Sequence, residues 1–227
     1  MEPLTYADVL AARLDDWRVL AQGLHARYRS PDVSSGAAFV AAAVGAAGPH
    51  ADHLDLTLGH RSVVVRAATR HDRGLWVTAD DVAAAHAVTE VARGHGLTPE
   101  PHLLAQLELG LDTWSTPEQS RFWAAVLTGD ADHHREEGDI VDLAPGLPHV
   151  WFQDTDAHDE PRQRWHWDLW LAPEVAAERI AAAVAAGGTV VHDSEAPSFT
   201  VLADPEGNKV CICTALDRDG GPEDREA

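Results

Sequence analysis

Leu107-Glu-Leu-Gly-Leu111 and Trp165-His-Trp-Asp-Leu169 lie 58 positions apart, and around them the last part of the chain overlays on itself without a gap. Gly129 falls on Gly187, and Val150-Trp-Phe-Gln153 falls on Asn208-Lys-Val-Cys211. The overlay brings Glu108 into register with His166 and Gln153 into register with Cys211. Each copy reads as a strand, a helix closed by glycine, and further strands. Two such βαβββ halves facing one another would enclose a cleft with all four polar side chains turned into it.

Within the copies, Leu103 to Leu111 reads as a strand, Thr116-Pro117 opens a helix through Phe122 and Trp123, and strands are expected at Ile140 to Leu143 and His149 to Gln153. The second copy repeats this with strand Arg164 to Leu171, helix Pro173 to Ala186, and strands near Thr189 to His192, Phe199 to Leu202 and Lys209 to Cys213. Ala203-Asp-Pro-Glu-Gly-Asn208 is expected to turn into the last strand.

Upstream the periods change. Thr5 is placed to cap a helix with Val9, Leu10 and Leu14 on one face, and Trp17 to Leu20 with Leu24 to Tyr28 read as a hairpin. Ser34 or Ser35 is expected to open an alanine-rich helix that Gly48-Pro49 ends. Strands around Leu54 to Leu58 and Val63 to Val65 follow, then a helix from Thr78 with Asp80 and Asp81 in its first turn, where the helix dipole favours acids. The fold class expected is α+β: an αββαββα unit over residues 1–98, a linker, a paired βαβββ unit over 103–216, and a polar, disordered tail over 217–227.

Seventeen Lys and Arg against 37 Asp and Glu give a formal charge of −20, which repels phosphate backbones and excludes nucleic acid as a natural partner. No apolar run suits a membrane span and the N-terminus lacks the pattern of a signal peptide, so a cytoplasmic protein with no membrane partner is expected. Cys211 and Cys213, two apart on one strand, are poorly placed to bridge each other.

The doubled unit, with Ser120-Arg-Phe-Trp123, Arg164-Trp-His166 and Leu202-Ala-Asp-Pro-Glu-Gly-Asn208, resembles the glyoxalase-like, vicinal oxygen chelate superfamily over roughly residues 103 to 215. That resemblance implies metal ligands on the first and last strands of each half, which here are Glu108, Gln153, His166 and Cys211, and lyase or isomerase chemistry on a small oxygen-rich molecule. A divalent ion so held would be zinc, iron, nickel or manganese; the thiol at Cys211, where a carboxylate is usual, favours zinc or iron. The alternative is a cleft that kept its shape and holds no ion. On the strand from Arg164, His166, Asp168 and Trp170 share one face. Asp168 is a candidate to orient His166, and Trp170 to stack on a planar ligand.

The N-terminal unit is similar to pterin-4a-carbinolamine dehydratases. The similarity rests on Trp17 opening the hairpin, on Pro49-His-Ala-Asp-His53, on His71, and on Gly74-Leu-Trp-Val-Thr-Ala-Asp-Asp81 before the last helix. It implies removal of water from a 4a-hydroxy pterin by histidines acting as acid and base, for which His50, His53 and His71 are the candidates. The family's adjacent His-His pair is incomplete in either alignment of this cluster, because the residue after His50 is Ala51 and the residue after His53 is Leu54. The partner expected is a small-molecule substrate or ligand, bound with turnover or merely sequestered, and a homodimer is expected if sheets of the N-terminal kind pair through their edges or helices.

Overall fold

The computed structural model describes residues 2–71, 74–135, 138–141, 143, 146–156, 163–203, 207 and 209–218. It divides into two compact units: Met1–Ala105 with Leu171–Val175 and the described part of Thr214–Ala227, and Gln106–Trp170 with Ala176–Cys213. Most of the expected tail, residues 219–227, lies outside the described residues, as do four residues of the turn expected before the last strand.

In the first unit, α1 (Tyr6–Ala11) starts at Thr5, whose hydroxyl accepts from the Asp8 amide at 3.1 Å while the Asp8 carboxylate accepts from the Thr5 amide, a reciprocal cap. The hairpin β1 (Trp17–Leu20) and β2 (Gly23–Arg29) follows as expected. Helix α2 (Val33–Ala47) is capped by Asp32, which accepts from the Ser35 amide at 2.7 Å. Neither Ser34 nor Ser35 takes that role: the cap lies two residues before Ser34, and the Ser35 amide is the donor that Asp32 satisfies. After α2 a 3-10 helix runs Gly48–His53, then come β3 (Leu54–Leu58) and β4 (Ser62–Ala67).

Two features escaped the sequence reading. Thr69–His71 (β5) and Gly74–Trp76 (β6) form a small antiparallel hairpin ahead of α3 (Ala79–Gly94). Residues 95–102, expected to be a linker, contribute β7 (Thr98–Pro99), which pairs with Tyr28 and Arg29 of β2. The main sheet runs β1-β2-β4-β3 with β7 also on β2. Its core face is set by alternation: Leu24, Ala26 and Tyr28 lie opposite Ala67, Val65 and Val63, all buried. Phe39 and Ala43 of α2 and Ala85 and Val88 of α3 cover them in one cluster. Each fully buried Val, Leu or Phe here is worth about 1.5–3 kcal/mol.

The second unit is one six-stranded sheet in the order β11-β12-β13-β10-β8-β9. Its first half is β8 (Ala105–Thr113), α4 (Thr116–Thr128) and β9 (His149–Asp154); its second half is β10 (Trp165–Leu171), α5 (Pro173–Ala185), β11 (Thr189–His192), β12 (Phe199–Ala203) and β13 (Lys209–Cys213). Gly129 ends α4 in the left-handed conformation, φ 83°, which glycine adopts without a side-chain penalty. The strand expected at Ile140 to Leu143 is reduced, among the described residues, to a single antiparallel bridge between Ile140 and His134.

The two halves each pair their first and last strands in parallel, but in different register. Asp112 lies opposite Gln153, whereas Asp168 lies opposite Cys211. Since 168 less 112 is 56 and 211 less 153 is 58, the first strands of the two halves are offset by two residues from the gapless overlay. Among the described residues no helix is long and apolar enough to cross a membrane.

Candidate functional site

Strand β8 splits its side chains by parity. Leu109 and Leu111 join Ala124, Ile140, Val150, Phe152 and Trp165 in the helix-covered core, which leaves Glu108, Gly110 and Asp112 on the opposite face. With Trp165 in that core, His166, Asp168 and Trp170 of β10 turn to the same opposite face, and the ladder to β13 brings Cys211 and Cys213 alongside them. The ladder from β8 to β9 does likewise for His149, Trp151 and Gln153. All four residues expected to hold a metal therefore lie on one face.

They do not converge on a point. Glu108 is 2% exposed, and its Oε2 accepts a hydrogen bond from Trp170 Nε1 at 3.0 Å. His166 Nε2 lies 2.9 Å from Asp112 Oδ1. Among the described residues, the one group of three His, Cys, Asp or Glu whose donor atoms all lie within 4.8 Å of one another is elsewhere, and it contains none of Glu108, His166 and Cys211. Glu108 is drawn to an indole N–H and His166 to a second carboxylate, so this donor set does not fit a shared ion as it stands. Cys211 is half-buried and Cys213 buried.

Two further expectations change with these contacts. Trp170 is 2% exposed and spends its N–H on Glu108, so its ring is core rather than a platform open to a ligand. The carboxylate that holds His166 is Asp112, and Asp168 instead lies across from Cys211 in the ladder. Asp112 was legible as the third even position of the Glu108, Gly110, Asp112 run. It is pinned to the start of β10 by its amide, which donates to the Arg164 carbonyl at 2.9 Å, and by Arg164 Nε, which donates to its carbonyl at 3.0 Å. His166 keeps 37% of its side chain exposed against 13% for Asp112, so the outer edge of the imidazole faces solvent while the inner edge is held.

The aromatic wall on this face is Trp151. Its indole packs against Gly110: a methyl at that position would come within 2.7 Å of Cε2 and Cζ2. The ring centroid stands 6.3 Å from that of His166. Trp151 Nε1 and Glu108 Oε1 are both buried with no hydrogen-bond partner among the described residues. A donor and an acceptor so left, on neighbouring strands, are the kind of polar atoms that a bound molecule satisfies.

In the first unit, His53 Nδ1 lies 2.9 Å from Oδ1 of Asp81, a residue with no exposure. Asp81 Oδ2 accepts from the Thr78 amide at 2.6 Å and from the hydroxyls of Thr78 and Thr69, each at 2.8 Å. Thr78-x-x-Asp81 is thus both the cap of α3 and the anchor of His53. His50 Nδ1 is 3.7 Å from Asp80 Oδ2, and its ring lies 5.9 Å from that of His53. His71 lies on β5 with its ring 4.9 Å from Trp76, whose Nε1 is buried with no partner among the described residues.

Residues 108–213 match a family model described as a glyoxalase-like domain, and residues 2–91 match that of pterin 4 alpha carbinolamine dehydratase. The chain therefore carries a dehydratase-like domain followed by a glyoxalase-like domain. No curated protein matches it. The glyoxalase-like match runs from Glu108 to Cys213 and so takes in every strand of the six-stranded sheet at least in part. The dehydratase-like match ends at Val91 within α3 and covers His50, His53 and His71.

Proposed function

We propose that the glyoxalase-like unit binds a small oxygen-rich or heteroaromatic molecule beside Trp151 and moves a proton on it through His166, in lyase or isomerase chemistry. The observation that carries this reading is the His166 Nε2 to Asp112 Oδ1 contact at 2.9 Å on a half-exposed imidazole. A carboxylate on one ring nitrogen fixes the tautomer and leaves Nδ1 with its lone pair, the state of a general base, and stabilises the imidazolium that forms. Trp151 supplies a planar surface, and the unpaired Nε1 of Trp151 and Oε1 of Glu108 supply a donor and an acceptor for ligand polar groups. The test is exchange of carbon-bound hydrogen for deuterium, followed by NMR, on a panel of α-hydroxy ketones and fused heteroaromatics including a reduced pterin. Exchange in the full chain that is lost in His166→Ala and falls roughly 100-fold or more in Asp112→Asn, with ligand affinity kept, supports the proposal. Exchange untouched by His166→Ala overturns it. Binding with no exchange in the unaltered chain also overturns the catalytic reading, in favour of a protein that sequesters its ligand.

A second reading, residual 4a-hydroxytetrahydrobiopterin dehydration by the first unit, is favoured by the His53 to Asp81 contact and the partnerless Trp76 Nε1 close to His71.

A further inference from the structure

His50, His53 and Asp80 bring three donor atoms within 4.8 Å of one another. The local sequence explains why. Pro49 is at the start of the 3-10 helix Gly48–His53, and at three residues per turn positions i and i+3 eclipse, so His50 and His53 project from one side with Ala51 turned away from it. Asp80, in the first turn of α3, meets them, its Oδ2 lying 3.7 Å from His50 Nδ1.

The next residue adds an independent sign. Asp81 is wholly buried, is fixed by Thr78 and Thr69, and accepts from His53 Nδ1. That contact makes Nδ1 the protonated nitrogen and leaves Nε2 as the lone-pair donor, the way a carboxylate prepares an imidazole to ligate a metal. We propose that His50, His53 and Asp80 bind one divalent ion of the zinc class, with Asp81 orienting His53. Two imidazoles and a carboxylate suit zinc, cobalt or nickel, whereas magnesium and calcium ask for oxygen ligands. Three protein ligands leave a coordination position open, and side-chain exposures of 29% for His50, 16% for His53 and 36% for Asp80 give solvent and small molecules access to it. A net charge of −20 draws cations to the protein.

The site uses no residue of the glyoxalase-like unit and stands or falls independently of the activity proposed above. The experiment is calorimetric titration of zinc, and visible spectroscopy of cobalt, on the untagged full chain after chelator treatment. One ion per chain is expected. His50→Ala and Asp80→Asn, both at partly exposed positions and each to be checked for an intact fold by circular dichroism, should each weaken binding roughly 100-fold, while His166→Ala leaves it unchanged. No saturable binding of zinc or cobalt would overturn the proposal. So would binding that survives His50→Ala and Asp80→Asn, or that disappears with His166→Ala instead.

Discussion

Acid should weaken the first unit through one imidazole. His25 lies on β2 between Arg18 of β1 and Arg66 of β4, on the face away from the core. The residue is half-buried, and its Nε2 is sealed from water with no partner among the described residues. Burial first, and the Arg66 guanidinium second, hold the imidazole down from 6.5 to about 4, while the Leu20 carbonyl and Asp55 act in the opposite sense. Arg66 is itself held by Asp55, to which its Nε donates at 3.0 Å. With the folded-state value below the unfolded one, the full contribution is present above pH 6.5, where both states are neutral. As the pH falls from 6.5 towards 4 the unfolded chain takes up a proton that the folded chain refuses, and stability declines. At about 1.4 kcal/mol per unit the whole difference approaches roughly 3 kcal/mol, an upper limit because local opening would let water reach the ring. The check is urea unfolding, followed by circular dichroism, of the unaltered chain and His25→Gln between about pH 7 and about pH 4.5. The unaltered chain should lose on the order of 2 kcal/mol more than the variant over that interval. A separation between the two that stays constant with pH would refute the reasoning.

Removing the donor from Trp170 by Trp170→Phe should cost about 1.5–3 kcal/mol while Glu108 is present, since a buried carboxylate then loses the one side-chain partner it has among the described residues. In a Glu108→Leu background the same change should cost only its packing loss, so a double-mutant cycle that proves additive within about 0.5 kcal/mol counts against the contact. Gly110→Ala should destabilise by about 1–3 kcal/mol and shift the near-ultraviolet dichroism of Trp151, whose indole occupies the space a methyl would need; an unaltered spectrum and midpoint would mean that the indole does not rest there.

What could be read from the sequence was what is settled locally. Thr5-x-x-Asp8 and Thr78-x-x-Asp81 announce helix starts because both partners lie within one turn. The parity of His166, Asp168 and Trp170 follows from the pleat alone. Both families were legible from short motifs, and both match. Partnerships across strands were not legible. That Glu108 would meet Trp170 and His166 would meet Asp112 depends on the order β13-β10-β8-β9 and on the stagger between neighbours, which no single strand encodes. The pairing of Thr98 and Pro99 with β2 was hidden for the same reason: two residues carry no period of their own. Asp32 outcompeted the serines as a cap because the choice lay with where the preceding strand delivers the chain.

The slip of two residues between the halves of the second sheet has a wider meaning for duplicated folds. Sliding by an odd step would have turned every residue of the face that carries Glu108 and His166 into the hydrophobic layer and every core residue out into water. Sliding by an even step retains inside and outside and exchanges only neighbours. Once a gene segment has doubled, drift in such increments can redistribute acids, imidazoles and thiols along one face of a sheet without endangering the layer beneath it, so new chemistry becomes reachable through shifts that folding tolerates.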